Sequence, residues 1–141
     1  VCTLGKGGEI ESRPMVLHSV DTDGSLWFFF GRDTLRSEQI QTAPHVTVTA
    51  SDPKGNKCVE LRGPGKIVQS HEQLQPMWKL EHGHWFAGGL DDPQVALFRV
   101  DVREAAYWEW KSGLVGTTLK RLEAMVTGVE PPDMVHERKV L

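Results

Sequence analysis

Two arginines and a threonine stand where they could grip an anion: Arg13, Thr34 and Arg36. Thr34 and Arg36 follow the apolar run Leu26-Trp27-Phe28-Phe29-Phe30, at a point where a strand is expected to feed a helix. A helix start presents unpaired backbone N–H groups and a positive dipole end. Thr34 would add a hydroxyl there and Arg36 a guanidinium fork, which together suit a phosphate. Arg13, on a neighbouring strand, could close over the same anion. The same residues also suit a plain helix cap at Asp33 or Thr34 with both arginines in water, since Ser, Thr and Asp are the ordinary helix-starting residues.

Other polar groupings are weaker. His82-x-His84, with His71 and His45 elsewhere, could be offered as metal or haem ligands, but the pair lacks a partner set of carboxylates or thiolates, and a surface loop with no metal is the expectation. Asp91-Asp92 before Pro93 could form a cation site or an acid–base dyad. A helix-start cap is expected instead, with proline in the first turn and an apolar run after it. Cys2 and Cys58 are too few for a disulfide framework and are expected to be reduced, although a pair between them stays open. There is no P-loop, nucleophile elbow or zinc signature.

The elements that must position these groups are mostly strands. Cys2–Leu4 and Ile10–His18 flank a Lys6-Gly7-Gly8-Glu9 turn, and Leu26–Phe30 follows an Asp23-Gly24 turn. A helix over about Leu35–Thr42 should stop before Ala43-Pro44, because a residue preceding proline avoids the helical region. His45–Ser51 alternates, with Val46, Val48 and Ala50 on one face. Lys57–Gly63 and Lys66–Gln69 read as strands separated by a bend or bulge at Gly63-Pro64-Gly65. Ser70 opens a helix carrying Leu74, Met77, Trp78 and Leu80, and His82–Pro93 reads as loop. Strands Val95–Val102 and Ala105–Trp110, a helix Thr117–Val126, a rigid Glu130–Asp133 connector and a solvated or strand-like tail complete the chain. Many short strands with few helices argue for a closed or nearly closed antiparallel barrel, which removes exposed sheet edges.

With 141 residues the chain is expected to be one domain, 1–141, with its C-terminal helix and tail over 116–141. A formal charge of -3 with dispersed basic residues leaves no footprint for nucleic acid. No apolar run is long enough to cross a bilayer as a helix, and Val1–Glu9 has neither the basic start nor the apolar middle of a signal peptide, so a cytoplasmic protein is expected. The chain starts without Met, and an upstream helix trimmed away or disordered is expected.

Taken in order, Ser12–Val16, Leu26–Arg36, Leu61–Val68, Trp85–Pro93 and Ala106–Glu109 resemble the FMN-binding split-barrel proteins related to pyridoxamine 5'-phosphate oxidase, above all the general stress protein 26 branch. The resemblance implies a mainly β, Greek-key antiparallel split barrel with a few helices, a homodimer, and FMN in the crevices between subunits. It implies that Arg13 reaches the cofactor phosphate, with Thr34 standing for the family's phosphate-binding serine and Arg36 for its lysine. Pro14, Met15 and Val16 would run along the isoalloxazine ring, and His18 falls where the vitamin oxidases carry a lysine. Phe29 and Phe30 would end the strand beneath the flavin. Phe30 departs from the family's threonine and could strengthen stacking, shift the flavin or exclude it. Cys58 would face the ring, and Trp85 would approach the partner subunit's flavin or simply anchor its loop. Trp78, Trp85, Trp108 and Trp110 are candidates for interface anchors or ordinary core.

The function implied is that of an FMN-dependent oxidoreductase or stress-related flavoprotein. The alternative is a non-catalytic protein that binds flavin, deazaflavin or haem in the same crevice. Oxidation of pyridoxamine 5'-phosphate itself is disfavoured, because the chain ends in Glu137-Arg138-Lys139-Val140-Leu141 and lacks the arginine- and histidine-bearing segment with which those oxidases grip substrate.

Overall fold

The computed structural model describes residues 1–32, 37–110 and 134–141. Among them are nine strands: β1 (Cys2–Leu4), β2 (Ile10–Ser12), β3 (Leu17–Val20), β4 (Leu26–Gly31), β5 (His45–Asp52), β6 (Lys57–Val68), β7 (Val95–Val100), β8 (Glu104–Trp110) and β9 (Met134–Val140). Two short helices, α1 (Ser37–Thr42) and α2 (His71–Leu74), and 3-10 turns at Gln75–Met77, Leu80–His84 and Gly89–Asp91 join them. The mainly β, antiparallel split-barrel expectation holds. The hydrogen-bonded order is β2-β1-β5-β6-β7-β4-β3, with β8 beside β6 and β9 beside β8. Among the described residues that path does not close, so of the closed or nearly closed barrel expected the closed form is not seen, and β2, β3 and β9 lie at its ends.

The centre of the sheet is β4 against β7, paired antiparallel from Leu26↔Val100 to Gly31↔Val95. Both are continuous apolar runs because both faces are covered. Alternate side chains point to opposite sides. On one side Phe28 and Phe30 lie 6.4 and 6.3 Å from the fully buried Phe98. On the other, Trp27, Val95 and Leu97 pack with Val68, Leu74 and Phe86, and Phe29, Met77, Trp78 and Leu90 lie against that cluster. Each large side chain so buried contributes about 1.5 to 3 kcal/mol of transfer free energy. The segment after β6 thus lays a lid of short helical turns over one face of β4 and β7.

Two further expectations are corrected. Gly63-Pro64-Gly65 does not break the strand, and β6 runs from Lys57 to Val68. The Pro64 carbonyl accepts the Asp101 N–H at 3.0 Å, and Gly65 N–H donates to the Pro44 carbonyl at 2.7 Å, so the ladder continues around the missing proline donor. A Cβ on Gly63 would sit 2.0 Å from the Asp101 carbonyl oxygen, and one on Gly65 would sit 2.4 Å from the Phe98 ring, so these glycines serve close approach. The second strand of the opening hairpin stops at Ser12, and residues 13–16 leave the sheet before β3.

Contacts group the chain into two compact units, Val1–Thr47 with Arg62–Arg103, and Val48–Leu61 with Glu104–Leu141. In the second unit the tail is strand, paired with β8 from Glu104↔Val140 to Trp110↔Met134. His136 stacks on Trp108 at 5.0 Å, and Arg138 reaches Glu104 at 2.6 Å. No described helix is long and apolar enough to cross a membrane. The expected Thr117–Val126 helix lies outside the described residues.

Candidate functional site

All the elements of the site belong to the first unit. Residues Arg13–Val16 form a strap outside any strand; Arg13 is tied to Val1 through its N–H at 2.9 Å and its carbonyl at 2.8 Å, and Pro14, Met15 and Val16 lie beyond the ladder. At its C-terminal end the β3–β4 register slips between Leu17 and Ser19, which leaves His18 as a bulged residue. A bulge re-aims its side chain, and here the imidazole turns onto Phe29, edge-on at 5.0 Å. Across from the strap, the Leu80–His84 turn and the residues flanking it supply Lys79, Glu81, His82, Trp85, Phe86 and Ala87. Together with Phe29, Phe30, Gly31, Asp92 and Gln94 these surround a pocket of about 950 Å³. That size is ample for a small-molecule cofactor.

At the strap's start, Arg13 is held in place before any ligand arrives. Its guanidinium donates to Thr3 Oγ1 at 2.9 Å and pairs with Glu11 Oε2. Glu11 accepts in turn from Gln39 Nε2 at 2.8 Å, and Gln39 is buried on α1. Two of the five guanidinium N–H groups are engaged by these contacts, which leaves others for an anion.

The opposite wall is aromatic. His82 is 4 % exposed, its ring 4.1 Å from Phe29, 5.1 Å from His18 and 5.3 Å from Trp78. Its Nδ1 accepts the Lys79 backbone N–H at 2.9 Å. Burial lowers the pKa of His82 below the ordinary imidazole value, with Lys79 adding to the effect and Glu81 opposing it. Burial also lowers that of His18, helped by His82 and Lys79 against Glu81. Both shifts favour the neutral ring. Val16 and Leu17 are exposed, and Trp85 is 64 % exposed at the same pocket.

The sequence matches the family described as Pyridoxamine 5'-phosphate oxidase like over residues 1–133. The chain belongs to that family. Among solved structures it is similar to a protein related to general stress protein 26 from Clostridium acetobutylicum, with a TM-score of 0.71 and 17% identity over 77% of this chain and 76% of that one. A general stress FMN/FAD binding protein from Xanthomonas citri aligns with a TM-score of 0.64 and 24% identity over 77% and 76%. A pyridoxamine 5'-phosphate oxidase-related, FMN binding protein from Nostoc punctiforme aligns with a TM-score of 0.64 and 16% identity over 99% and 84%. At these identities the likeness is one of fold. No curated protein matches the chain.

Of the residues that the oxidase-like family pattern singles out, Arg13, Pro14, Met15, Val16, His18, Phe29, Phe30 and Trp85 all line this one pocket. Phe30 lines it with its ring turned away: the side chain is buried edge-on against Phe98, on the side of β4 opposite Phe29. Cys58 is a half-buried free cysteine on β6 in the second unit and is not among the described residues lining the pocket. Thr34 and Arg36 lie outside the described residues.

Two readings of polar residues are corrected. His82 is not in a surface loop, although His84 is exposed. The available signal was spacing: Leu74, Trp78, His82 and Phe86 recur every fourth residue, the interval that puts side chains on one helical face. Asp92 does not start a helix. Its carboxylate accepts from Gly88 and Gln94 N–H at 3.2 and 2.9 Å and turns the chain directly into β7. Among the described residues no cluster of three or more His, Cys, Asp or Glu is placed to hold a metal.

Proposed function

We propose that this pocket binds FMN and that the protein is a flavin-dependent oxidoreductase, working as a cytoplasmic homodimer with the flavin at the subunit interface. The observation that carries the reading is the strap. The chain from Arg13 to His18 can span up to about 17 Å at about 3.3 Å per residue, with a cation at one end and an aromatic wall at the other. A flat ring bearing a phosphorylated side chain matches that layout.

On this reading Arg13 binds the phosphate together with Thr34 and Arg36. The peptide groups of Pro14, Met15 and Val16 meet the polar edge of the ring, while Phe29 and Trp85 supply apolar contact. FMN, when bound, supplies the electron-transfer chemistry, and the chain supplies binding, orientation and exclusion of water. Exposed Val16, Leu17 and Trp85 would be covered by cofactor and partner subunit. Two reduced cysteines accord with a reducing compartment. The family relatives from Xanthomonas citri and Nostoc punctiforme, described as FMN/FAD binding and FMN binding, support the choice of cofactor.

The test is the visible spectrum of the purified protein after incubation with FMN and removal of unbound flavin, with the released cofactor identified chromatographically. A stoichiometric FMN spectrum that bleaches with NAD(P)H supports an oxidoreductase. A flavin that stays oxidised with every donor supports a binding protein instead, and a colourless protein overturns the reading. Sedimentation velocity, with and without FMN, tests the dimer.

A further inference from the structure

The two imidazoles on the pocket wall are not explained by a phosphate at Arg13. Their surroundings are unusual in one respect: the His18 ring makes no hydrogen bond to any described residue, and the one bond made by the His82 ring is accepted from a backbone donor. That bond fixes the His82 tautomer. An N–H can donate only to a bare ring nitrogen, so Nδ1 carries no hydrogen and the proton sits on Nε2. Protonating the ring would set Nδ1–H against the Lys79 N–H, so His82 is held as a neutral donor. Nε2 is not among the buried polar atoms that lack a partner, which are Ser19 Oγ and Gln39 Oε1 among the described residues.

Phe29 lies against the His82 ring at 4.1 Å, and the exposed Trp85 lies 6.3 Å from it, so the donor is flanked by flat apolar surface. The charged and titratable groups around the pair are Lys79, Glu81, Arg13 and Asp92, all lining the same pocket. Arg13 is paired with Glu11, and Asp92 accepts from Gly88 and Gln94, which leaves Lys79 and Glu81 as the near influences. Their opposed charges leave His18 able to respond to a new anion.

We propose that His18 and His82 form a subsite for an aromatic carboxylate, a ligand class separate from flavin: His82 donates Nε2–H to a carboxylate oxygen, and His18 takes up a proton when that anion arrives. The planar body of the ligand lies against Phe29 and Trp85. The subsite shares Phe29 and Trp85 with the proposed flavin contact but needs no bound flavin, so a protein that fails to take up FMN still tests it.

The probe is 2-naphthoate, with 2-naphthamide as its uncharged counterpart, followed on the full chain by tryptophan fluorescence and by the ring C–H resonances of the histidines. Naphthoate should bind saturably and shift the His18 and His82 resonances. Its affinity should rise about tenfold between about pH 7.5 and about pH 5.5, whereas the amide should bind without pH dependence. His82→Phe should weaken both probes about tenfold, the scale of one lost hydrogen bond, and His82→Gln, which keeps a donor, should restore most of the loss. His18→Asn should abolish the pH dependence and leave amide binding unchanged. Absence of saturable binding would overturn the proposal. So would binding that His82→Phe does not weaken, or a pH dependence that survives His18→Asn.

Discussion

Two polar regions of the first unit are built on opposite plans. Around Arg99 on β7, charge is matched by charge: Nε donates to Asp101 at 2.5 Å, and Nη2 donates to Asp23 and to Ser25 Oγ, each at 2.9 Å. The guanidinium lies 5.3 Å from the centre of the Trp27 ring, and Trp27 Nε1–H donates to Asp21 at 2.7 Å. Lys66 approaches Asp101 from β6 at 3.5 Å. Burial would raise the Asp101 pKa, but the bond and charge of Arg99 outweigh it and hold the carboxyl below its ordinary value. At the pocket, by contrast, two imidazoles face each other with neither bonded to a carboxylate among the described residues. A satisfied network ties strands together, whereas polar groups left open on a cavity wall are available to a ligand.

The sharpest break of that comparison is Arg99→Ala. It removes three side-chain bonds and leaves Asp101 partly buried without its main partner, so urea denaturation should show a loss of about 2 to 3 kcal/mol, below the full figure for a buried pair because the site is partly exposed. Flavin affinity should be untouched. Arg13→Ala should do the reverse: FMN affinity weaker by about 1.5 to 2.5 kcal/mol, the scale of a charged hydrogen bond, with little change in unfolding. If FMN titration gave equal affinities for the two proteins, Arg13 would leave the site.

Gln39→Ala should come next. It removes the buried donor that holds Glu11, and through Glu11 it loosens Arg13, so FMN affinity should fall by about 1 kcal/mol. In an Arg13→Ala background that loss should vanish; a Gln39 effect that persists there would mean that it acts by another route.

The smallest effect is in pH. His18 and His82 bind a proton less readily folded than unfolded, so they begin to reduce stability as pH falls below the ordinary imidazole value of 6.5, and the loss levels off once the folded rings are protonated. Asp101 and Asp23 act in a lower window. Their folded pKa values lie below the ordinary 3.8, for Asp23 chiefly through the Ser25 N–H, and the stability that they add is lost as pH falls through that range. A His18→Asn/His82→Phe double variant should flatten only the upper limb of the stability profile. A change confined to the lower limb would reverse the assignment.

Much of the fold was legible because local rules decided it. Alternation marked β5, the Asp23-Gly24 turn marked the start of β4, and the apolar runs of β4 and β7 marked both as strands. The strap residues were legible as a cluster, since four neighbours in sequence must stay neighbours in space. His82 was not. His82 stands beside Gly83 in a stretch with the composition of a loop, where its four-residue spacing from Trp78 and Phe86 is only a hint, and packing of the 78–86 segment onto Phe29 buries it.

Sequence by itself therefore determined most of the strands, the turns and the cation at Arg13, because propensity and periodicity act within a few residues, but it read residues 13–16 as strand where the structure takes them out of the sheet. Tertiary structure alone decided that β6 passes through Pro64 without a break, since the needed hydrogen bonds come from Pro44 and Asp101, far away in the chain. It alone decided that Phe30 turns its ring into the core and Phe29 toward the pocket face, and that His18 and His82 meet at 5.1 Å. Such meetings depend on how elements distant in sequence pack, and no local pattern encodes them.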